Sequence, residues 1–356
     1  MKKKNVIWIA LAVLMFAAAT WLMSSERKAL ENTEKQISFP RRLNPDEYRR
    51  MKSRQRQMML RMVDGRSDEM QEGSQNAVYD PMLVALSASA QNDTMLIFET
   101  AELAGSPVVR MLINCMPEES VQDLDRLKEE TGIDPFGNLE RAAVTGDMML
   151  LEGDFEAARW ENIFDEYKSE DYGDSGVIHR TPGGGDGGRA AESYAVWNNE
   201  ILIRTQDEES SRKVIDLLEG REEYGGSVFE PEDTYGQIYG RIAVEDALNF
   251  FPDTDDDMAA RFSQAVDSIG FHVDATEDVA LVADMSGQQL QMTQDVATSL
   301  GGALSLARMK ARAQGQEDLA EFLDFARIDP DEGSFSMELA LPLEYIRERL
   351  GECAGE

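Results

Sequence analysis

The chain has 356 residues, with 35 basic against 68 acidic side chains and a formal net charge of -33. Residues 1–60 hold 13 of the basic and 5 of the acidic residues, so the remainder is strongly anionic. A body of that charge repels phosphate backbones, which argues against nucleic-acid binding. Two cysteines, Cys115 and Cys353, are too few for a disulfide framework.

The first element is the uncharged apolar run Val6 to Met23, preceded by Lys2, Lys3 and Lys4 and followed by Glu26, Arg27 and Lys28. As a helix it spans about 27 Å at ~1.5 Å per residue, enough for a bilayer core. Trp8 and Trp21 fall near its ends, where indoles favour the headgroup level. A cleaved signal peptide ending at Ala17-Ala18-Ala19 is the competing reading, but the apolar run continues past the alanines through Trp21, Leu22 and Met23. The lysine cluster resembles a secretory n-region. We therefore expect a single-pass anchor in the inner (cytoplasmic) membrane over residues 1–23, with the C-terminal body in the periplasm.

Residues 24–76 form a basic, Met-rich juxtamembrane stalk and linker. Asn44-Pro45-Asp46-Glu47 predicts a helix start, with an Asn cap, proline at the first position and acids in the first turn, running to about Val63. Met51, Met58, Met59 and Met62 lie roughly on one side, with Arg49, Arg50, Lys52, Arg54, Arg56 and Arg61 supplying charge. Such a helix could lie on anionic headgroups, dock onto the acidic body, or stay solvated.

From Pro81 the pattern becomes globular. Thr94 to Thr100 reads as a strand, Ser106-Pro107 opens a helix through Met116, and Glu118 to Thr131 forms a helix closed by Gly132. Leu139–Thr145 and Met148–Gly153 predict a hairpin about Gly146-Asp147. Phe155 to Lys168 is expected to be helical. Strands follow at Val177–Thr181, Tyr194–Trp197 and Ile201–Thr205, then a helix at Glu208–Leu218. A similar series comes next: a strand in Gly236–Val244, helices at Glu245–Phe251 and Asp256–Val266, strands at Gly270–Ala275 and Val279–Asp284, helices at Gln288–Ala313 and Glu317–Ala326, a strand at Ser334–Leu341 and a helix at Leu343–Leu350. The matching order predicts an internal duplication, with halves at 77–230 and 231–356. The fold class expected is α+β: an N-terminal transmembrane helix, a basic stalk helix, then two similar antiparallel-sheet-plus-helix halves.

Thr131-Gly132-Ile133-Asp134-Pro135-Phe136 and the strand pair ending Glu152-Gly153-Asp154-Phe155, taken with the anchor, resemble a broad group of uncharacterised bacterial envelope proteins with duplicated α+β halves. The likeness covers mainly residues 94–170. It implies a compartment and an architecture, and no activity.

No sequence signature of catalysis emerges. The chain has two histidines, His179 and His272, both in predicted strands, where a structural role is favoured over a general base. There is no HExxH pair, Cys/His cluster, GxSxG elbow or GxxxxGK[ST] loop. The glycine-rich stretch 182–188 leads into a strand, so it reads as a hairpin connection and not a phosphate cradle. Asp253 to Asp257 fails as an EF-hand, with Met258 where glycine is needed, and reads as a capped helix start. Asp329, Asp331 and Glu332 read as a similar turn. Trp160 and Trp197 are expected in the core. A single bridge between the two cysteines is the alternative to the favoured reading, in which Cys115, in the apolar run Met111 to Met116, is a buried small hydrophobe and Cys353 is free or intermolecular.

No catalytic, cofactor or metal residue is therefore nominated. The expected function is extracytoplasmic binding or scaffolding without catalysis, with the membrane as one partner through Val6 to Met23 and envelope proteins or cationic ligands as others. The alternatives are a carboxylate-dependent hydrolase with a cleft between the halves, and a tethered adaptor facing the cytoplasm.

Overall fold

The computed structural model describes residues 80–89, 94–181, 192–226, 228–230, 233–249, 256–331 and 333–351. The anchor at Val6 to Met23, the stalk helix, the glycine-rich loop and Asp253 to Asp255 lie outside these residues. Among the described residues, no helix is long and apolar enough to cross a membrane.

Twelve strands form one antiparallel sheet in the order β11-β12-β10-β9-β8-β1-β2-β3-β7-β6-β5-β4. In chain order these are β1 (Met95–Phe98), β2 (Leu139–Thr145), β3 (Met148–Gly153), β4 (Lys168–Tyr172), β5 (Gly176–Arg180), β6 (Ser193–Trp197), β7 (Ile201–Thr205), β8 (Ile238–Ile242), β9 (Ser268–Asp274), β10 (Val279–Ser286), β11 (Ala326–Asp331) and β12 (Ser334–Leu341). The helices are α1 (Pro81–Leu86), α2 (Thr100–Gly105), α3 (Pro107–Asn114), α4 (Glu118–Thr131), α5 (Trp160–Ile163), α6 (Glu208–Leu218), α7 (Val244–Asn249), α8 (Asp256–Ala265), α9 (Leu290–Ala313), α10 (Glu317–Asp324) and α11 (Leu343–Leu350).

The sheet joins two runs of strands through the ladder between β1 and β8, where Met95 opposes Arg241 and Phe98 opposes Ile238. On each side of this seam the order is the same. The first strand (β1 or β8) pairs with a hairpin (β2-β3 or β9-β10). The hairpin's second strand then pairs with the last strand of a later meander (β7 or β12). The meander has four strands on the first side and two on the second.

Register places one file of residues straight across the sheet. From Val282 it runs through His272, Tyr239, Ile97, Ala143, Leu150, Ile203 and Ala195 to Ile178. All are buried, and burial of each large side chain contributes about 1.5–3 kcal/mol. Beyond them the file ends in charge, at Glu338 and Arg327 on one edge and Glu170 on the other. Over the first side, α1 and α6 cover this face with Met82, Leu86, Val214 and Ile215. On the opposite face, Phe155, Phe164, Tyr194 and Leu202 form a second cluster, and α7, α8 and α9 pack Ala247, Ala265 and Val296 against Ile269, Met285 and Phe335.

Local chemistry explains the helix ends. Asp80 and Ser106 each cap a helix that carries proline at its start, and Gly132 closes α4 in the left-handed region. Three expectations need correction. Phe155 to Lys168 is not one helix: α5 holds only Trp160–Ile163, and Lys168 opens strand β4. The aromatic rings there pack on one another, with Trp160 stacked on Phe164 and Phe164 edge-on to Tyr167, so ring contacts rather than helical periodicity set the path. The expected turn at Asp329 and Asp331 is strand β11, which pairs along its length with β12. Finally, α10 stops at Asp324 because Ala326 enters that strand.

The seam has one steric condition. Gly240 has φ of +151°, and a Cβ there would sit 2.0 Å from the Met95 carbonyl oxygen. Gly240→Ala is therefore expected to destabilise the fold by about 3 kcal/mol in urea denaturation, since the clash is with backbone of β1. Gly105→Ala, with open space around it, should leave stability within about 0.5 kcal/mol or raise it slightly.

Candidate functional site

A group of half-buried charges lies at the seam, on the face that carries Ile97. Arg141 on β2 stands opposite Glu152 on β3, and its Nε donates to Glu152 Oε2 at 2.6 Å. Its two terminal nitrogens donate to Asp80, Nη1 to Oδ2 at 2.6 Å and Nη2 to Oδ1 at 2.8 Å. The same Asp80 carboxylate accepts from the Met82 and Leu83 amides at the start of α1. One guanidinium thus ties a helix N-terminus to two central strands. Glu99 follows β1 directly, and across the seam the Tyr239 hydroxyl on β8 donates to its Oε1 at 2.9 Å.

Burial acts on each of these groups. It raises the Glu99 carboxyl pKa above the ordinary range, against the opposing influence of the Tyr239 hydrogen bond and the Arg141 charge. It raises Glu152 likewise, with Arg141 pulling the other way. For Arg141, burial alone would favour the neutral form, but the hydrogen bonds to Asp80 and Glu152 outweigh it and hold the guanidinium charged. Tyr239 is raised by burial first and by the Glu99 charge second. Asp80 and Glu152 are thus held by Arg141 and Glu99 by a phenol, an arrangement that fixes elements in place.

Sequence reasoning did not single out these five residues. The available signal was an arginine and a glutamate at inward positions of neighbouring strands: Arg141 shares a face with Ala143, and Glu152 with Leu150. Charge at such positions needs a partner.

The histidines fall into aromatic surroundings on separate strands. His179 on β5 stacks on Phe164, ring centroids 3.9 Å apart, and its Nδ1 lies 2.8 Å from Ser169 Oγ. Burial pushes its pKa down to about 4. His272 on β9 stacks on Tyr235 at 3.8 Å. The structure does not bring the two together, since β9 and β5 are far apart in strand order. Trp160 packs against Phe155 and Phe164 and donates to Asn199 Oδ1, and Trp197 packs against the core of the first side. Asp329 pairs with Arg327 at 3.1 Å. Among the described residues, no group of three or more His, Cys, Asp or Glu side chains is placed to hold a metal ion.

Cys115 departs from expectation. It caps the C-terminus of α3, is only partly buried, and is disulfide-bonded. Val108 and Met111, the buried residues of α3, precede Cys115 by seven and four positions and so share its face, but Cys115 stands at the cap beyond the last helical residue.

No family model matches the chain, and no curated protein matches it. A solved structure described as crystal form I of TP0453 aligns with 79% of this chain and 100% of its own length, at 11% sequence identity and a TM-score of 0.44. A shared fold does not follow from a score at that level.

Two pH responses follow. Glu99 is raised in the folded state, so its contribution is favourable below the unfolded carboxylate pKa and is lost as pH rises through the folded one. Glu99→Gln, which still accepts from Tyr239, should therefore be more stable than wild type at about pH 7, with the gain gone near pH 3.5, as read by chemical denaturation. His179 has the opposite sign. Its neutral form is favoured by folding, so stability present above about pH 6.5 is lost as pH falls towards 4. His179→Gln should remove about 3 kcal/mol of that acid loss relative to wild type.

Proposed function

We propose that this protein is a membrane-anchored extracytoplasmic binding or scaffolding protein, tethered by Val6 to Met23 and built from two similar α+β halves at 77–230 and 231–356. The observation that carries the compartment is the disulfide at Cys115. Cytosolic thiols are kept reduced, whereas such bonds persist in oxidising compartments. The lysine-flanked apolar run at the N-terminus supports the same side of the membrane. The common strand order on either side of β1 and β8 supports duplication.

Binding is favoured over catalysis because the buried carboxylates at the seam are engaged by Arg141 and Tyr239. The helical pair α9 and α10 also carries Leu306, Met309 and Leu319 exposed, apolar area that a partner would cover. Envelope proteins or cationic ligands are the partners suited to so acidic a body. The second reading, a carboxylate-dependent hydrolase acting between the halves, is favoured by one observation: burial raises both Glu99 and Glu152 beside the seam.

Protease treatment of intact cells and spheroplasts carrying a C-terminal tag tests the topology. The tag should be digested only once the outer barrier is opened, with the mature protein at full length. Survival of the tag until the inner membrane is lysed would move the body to the cytoplasm and defeat the proposal. A loss of about two kilodaltons would replace the anchor by a cleaved signal peptide.

A further inference from the structure

Helix α9 is 24 residues long, and no residue from 298 to 310 is fully buried. It is held by Thr293, Val296 and Ala297 towards one end and by Ala311 at the other. On the opposite side of the helix, Asp295, Ser299, Gly302, Leu306, Met309 and Ala313 are all exposed, Leu306 at 63% and Met309 at 52%. Their spacings alternate between four and three residues from first to last. That is the pattern of a coiled-coil seam, and it faces away from the protein's own core. The stripe is also complementary to itself. In an antiparallel pair centred on residue 304, Leu306 of one helix faces Gly302 of the other, Met309 faces Ser299, and Ala313 faces Asp295. Each large side chain then meets a small residue. The space at Gly302 is open, with nothing within 4 Å of where a Cβ would stand. Charge matches as well. Arg308 and Arg312 turn to Asp324 of α10, whereas Lys310, two positions from each, stands exposed on the outer side. The antiparallel register brings Lys310 within about one helical turn of Asp295 in the second copy. A parallel pair would instead set Leu306 on Leu306 and Asp295 on Asp295.

We propose that this protein forms a two-fold homodimer through α9, with two copies of the helix packed antiparallel about residue 304. The dimer rests on the binding reading above and makes a second copy of this chain the partner that covers Leu306 and Met309. A copy is favoured over an unrelated partner because the same stripe, reversed, matches the large, small and charged positions along it, as a self-complementary two-fold contact requires. Small residues at the crossing let the helix axes approach closely, which brings Leu306 and Met309 into full contact with the second helix. The negative charge of each chain opposes association. At physiological ionic strength, however, exposed charges more than about 8 Å apart are largely screened.

Sedimentation equilibrium of the full-length protein in density-matched detergent, across the micromolar range, should show monomer and dimer in exchange. Leu306→Glu and Gly302→Leu should each weaken the dimer on the order of tenfold or more, the first by burying a charge and the second by filling the space that Leu306 of the other copy enters. Neither should lower the melting temperature of the monomer, and Gly302→Leu should raise it, since leucine favours an exposed helix position over glycine. Asp295→Lys should weaken the dimer, and Asp295→Lys combined with Lys310→Asp should restore it. Zero-length carbodiimide coupling of mixed light and heavy isotope-labelled chains should join Lys310 to Asp295 in a peptide that carries both labels. Within one helix these residues are about 22 Å apart, too far for that link. A dimer that neither Leu306→Glu nor Gly302→Leu weakens overturns the proposal, as does one in which no mixed-label link joins Lys310 to Asp295. A monomer at every concentration also overturns it. If vesicles of anionic phospholipid then protect residues 299–310 from amide exchange, the surface belongs to a membrane instead. The tag experiment above is read independently: a monomer whose tag is digested in spheroplasts loses the dimer and keeps the extracytoplasmic reading, and a dimer whose tag is sheltered does the reverse.

Discussion

Everything in this fold depends on a four-residue ladder, the pairing of β1 with β8. β1 is flanked on both sides, by β2 and β8, and Met95 and Ile97 have no exposure to solvent. Without the ladder each side of the molecule would end in an open strand edge with unpaired backbone groups, a template for pairing with other chains. With it, the buried file of side chains passes without interruption from Ile178 to Val282. The ladder is short, and its close approach at Gly240 admits no side chain on that residue. Additional contacts surround it: Tyr239 to Glu99, Thr94 Oγ1 to Asp246 Oδ2 at 2.5 Å, and the Ala243 amide to Thr94 Oγ1 at 2.9 Å.

The charge cluster beside the ladder is best understood as the cost of joining three elements there. Arg141 satisfies two carboxylates at once, and a bidentate guanidinium–carboxylate contact fixes direction as well as distance. Removing one member of such a group leaves a charge stranded away from water, which is why these residues act as a unit. Glu99 stands outside the bidentate pair. Its raised pKa comes first from burial, which the Tyr239 hydrogen bond and the Arg141 charge offset only in part.

Where sequence determines structure locally, it was readable. β2 and β3 follow from alternation about Gly146-Asp147, and α4 from its helical spacing with Gly132 at its end. β4 and β11 were not readable, because Lys168-Ser169-Glu170-Asp171 has no apolar face and Pro330 interrupts its run. Each is a strand through its neighbour, β5 or β12, and not through its own composition. The seam cluster was hidden for a related reason. Residues 80, 99, 141, 152 and 239 are scattered along the chain, and only the β1–β8 register brings the last to the others. Cys115 shares a face with the buried Val108 and Met111, so the apolar neighbourhood in the sequence carries no sign that its sulfur is bonded.

The two outermost strands also explain why the sheet stops at twelve. β4 is charged along its length, with Glu170 held by Arg180 at 2.7 Å and Arg212 lying 4.4 Å over the Tyr172 ring. A strand added there would have to displace or desolvate these groups. At the other edge Pro330 offers no amide hydrogen, and Arg327 is tied to Glu338 at 2.5 Å. Both devices oppose edge-to-edge growth of the sheet. Recognition by strand addition is therefore disfavoured at either end. Among the described residues the most exposed large apolar side chains, Leu306, Leu290 and Met309, all stand on α9. On that helix Leu306 and Met309 flank Arg308, which with Arg312 faces Asp324 of α10, so exposed apolar side chains and ion-paired ones alternate along it.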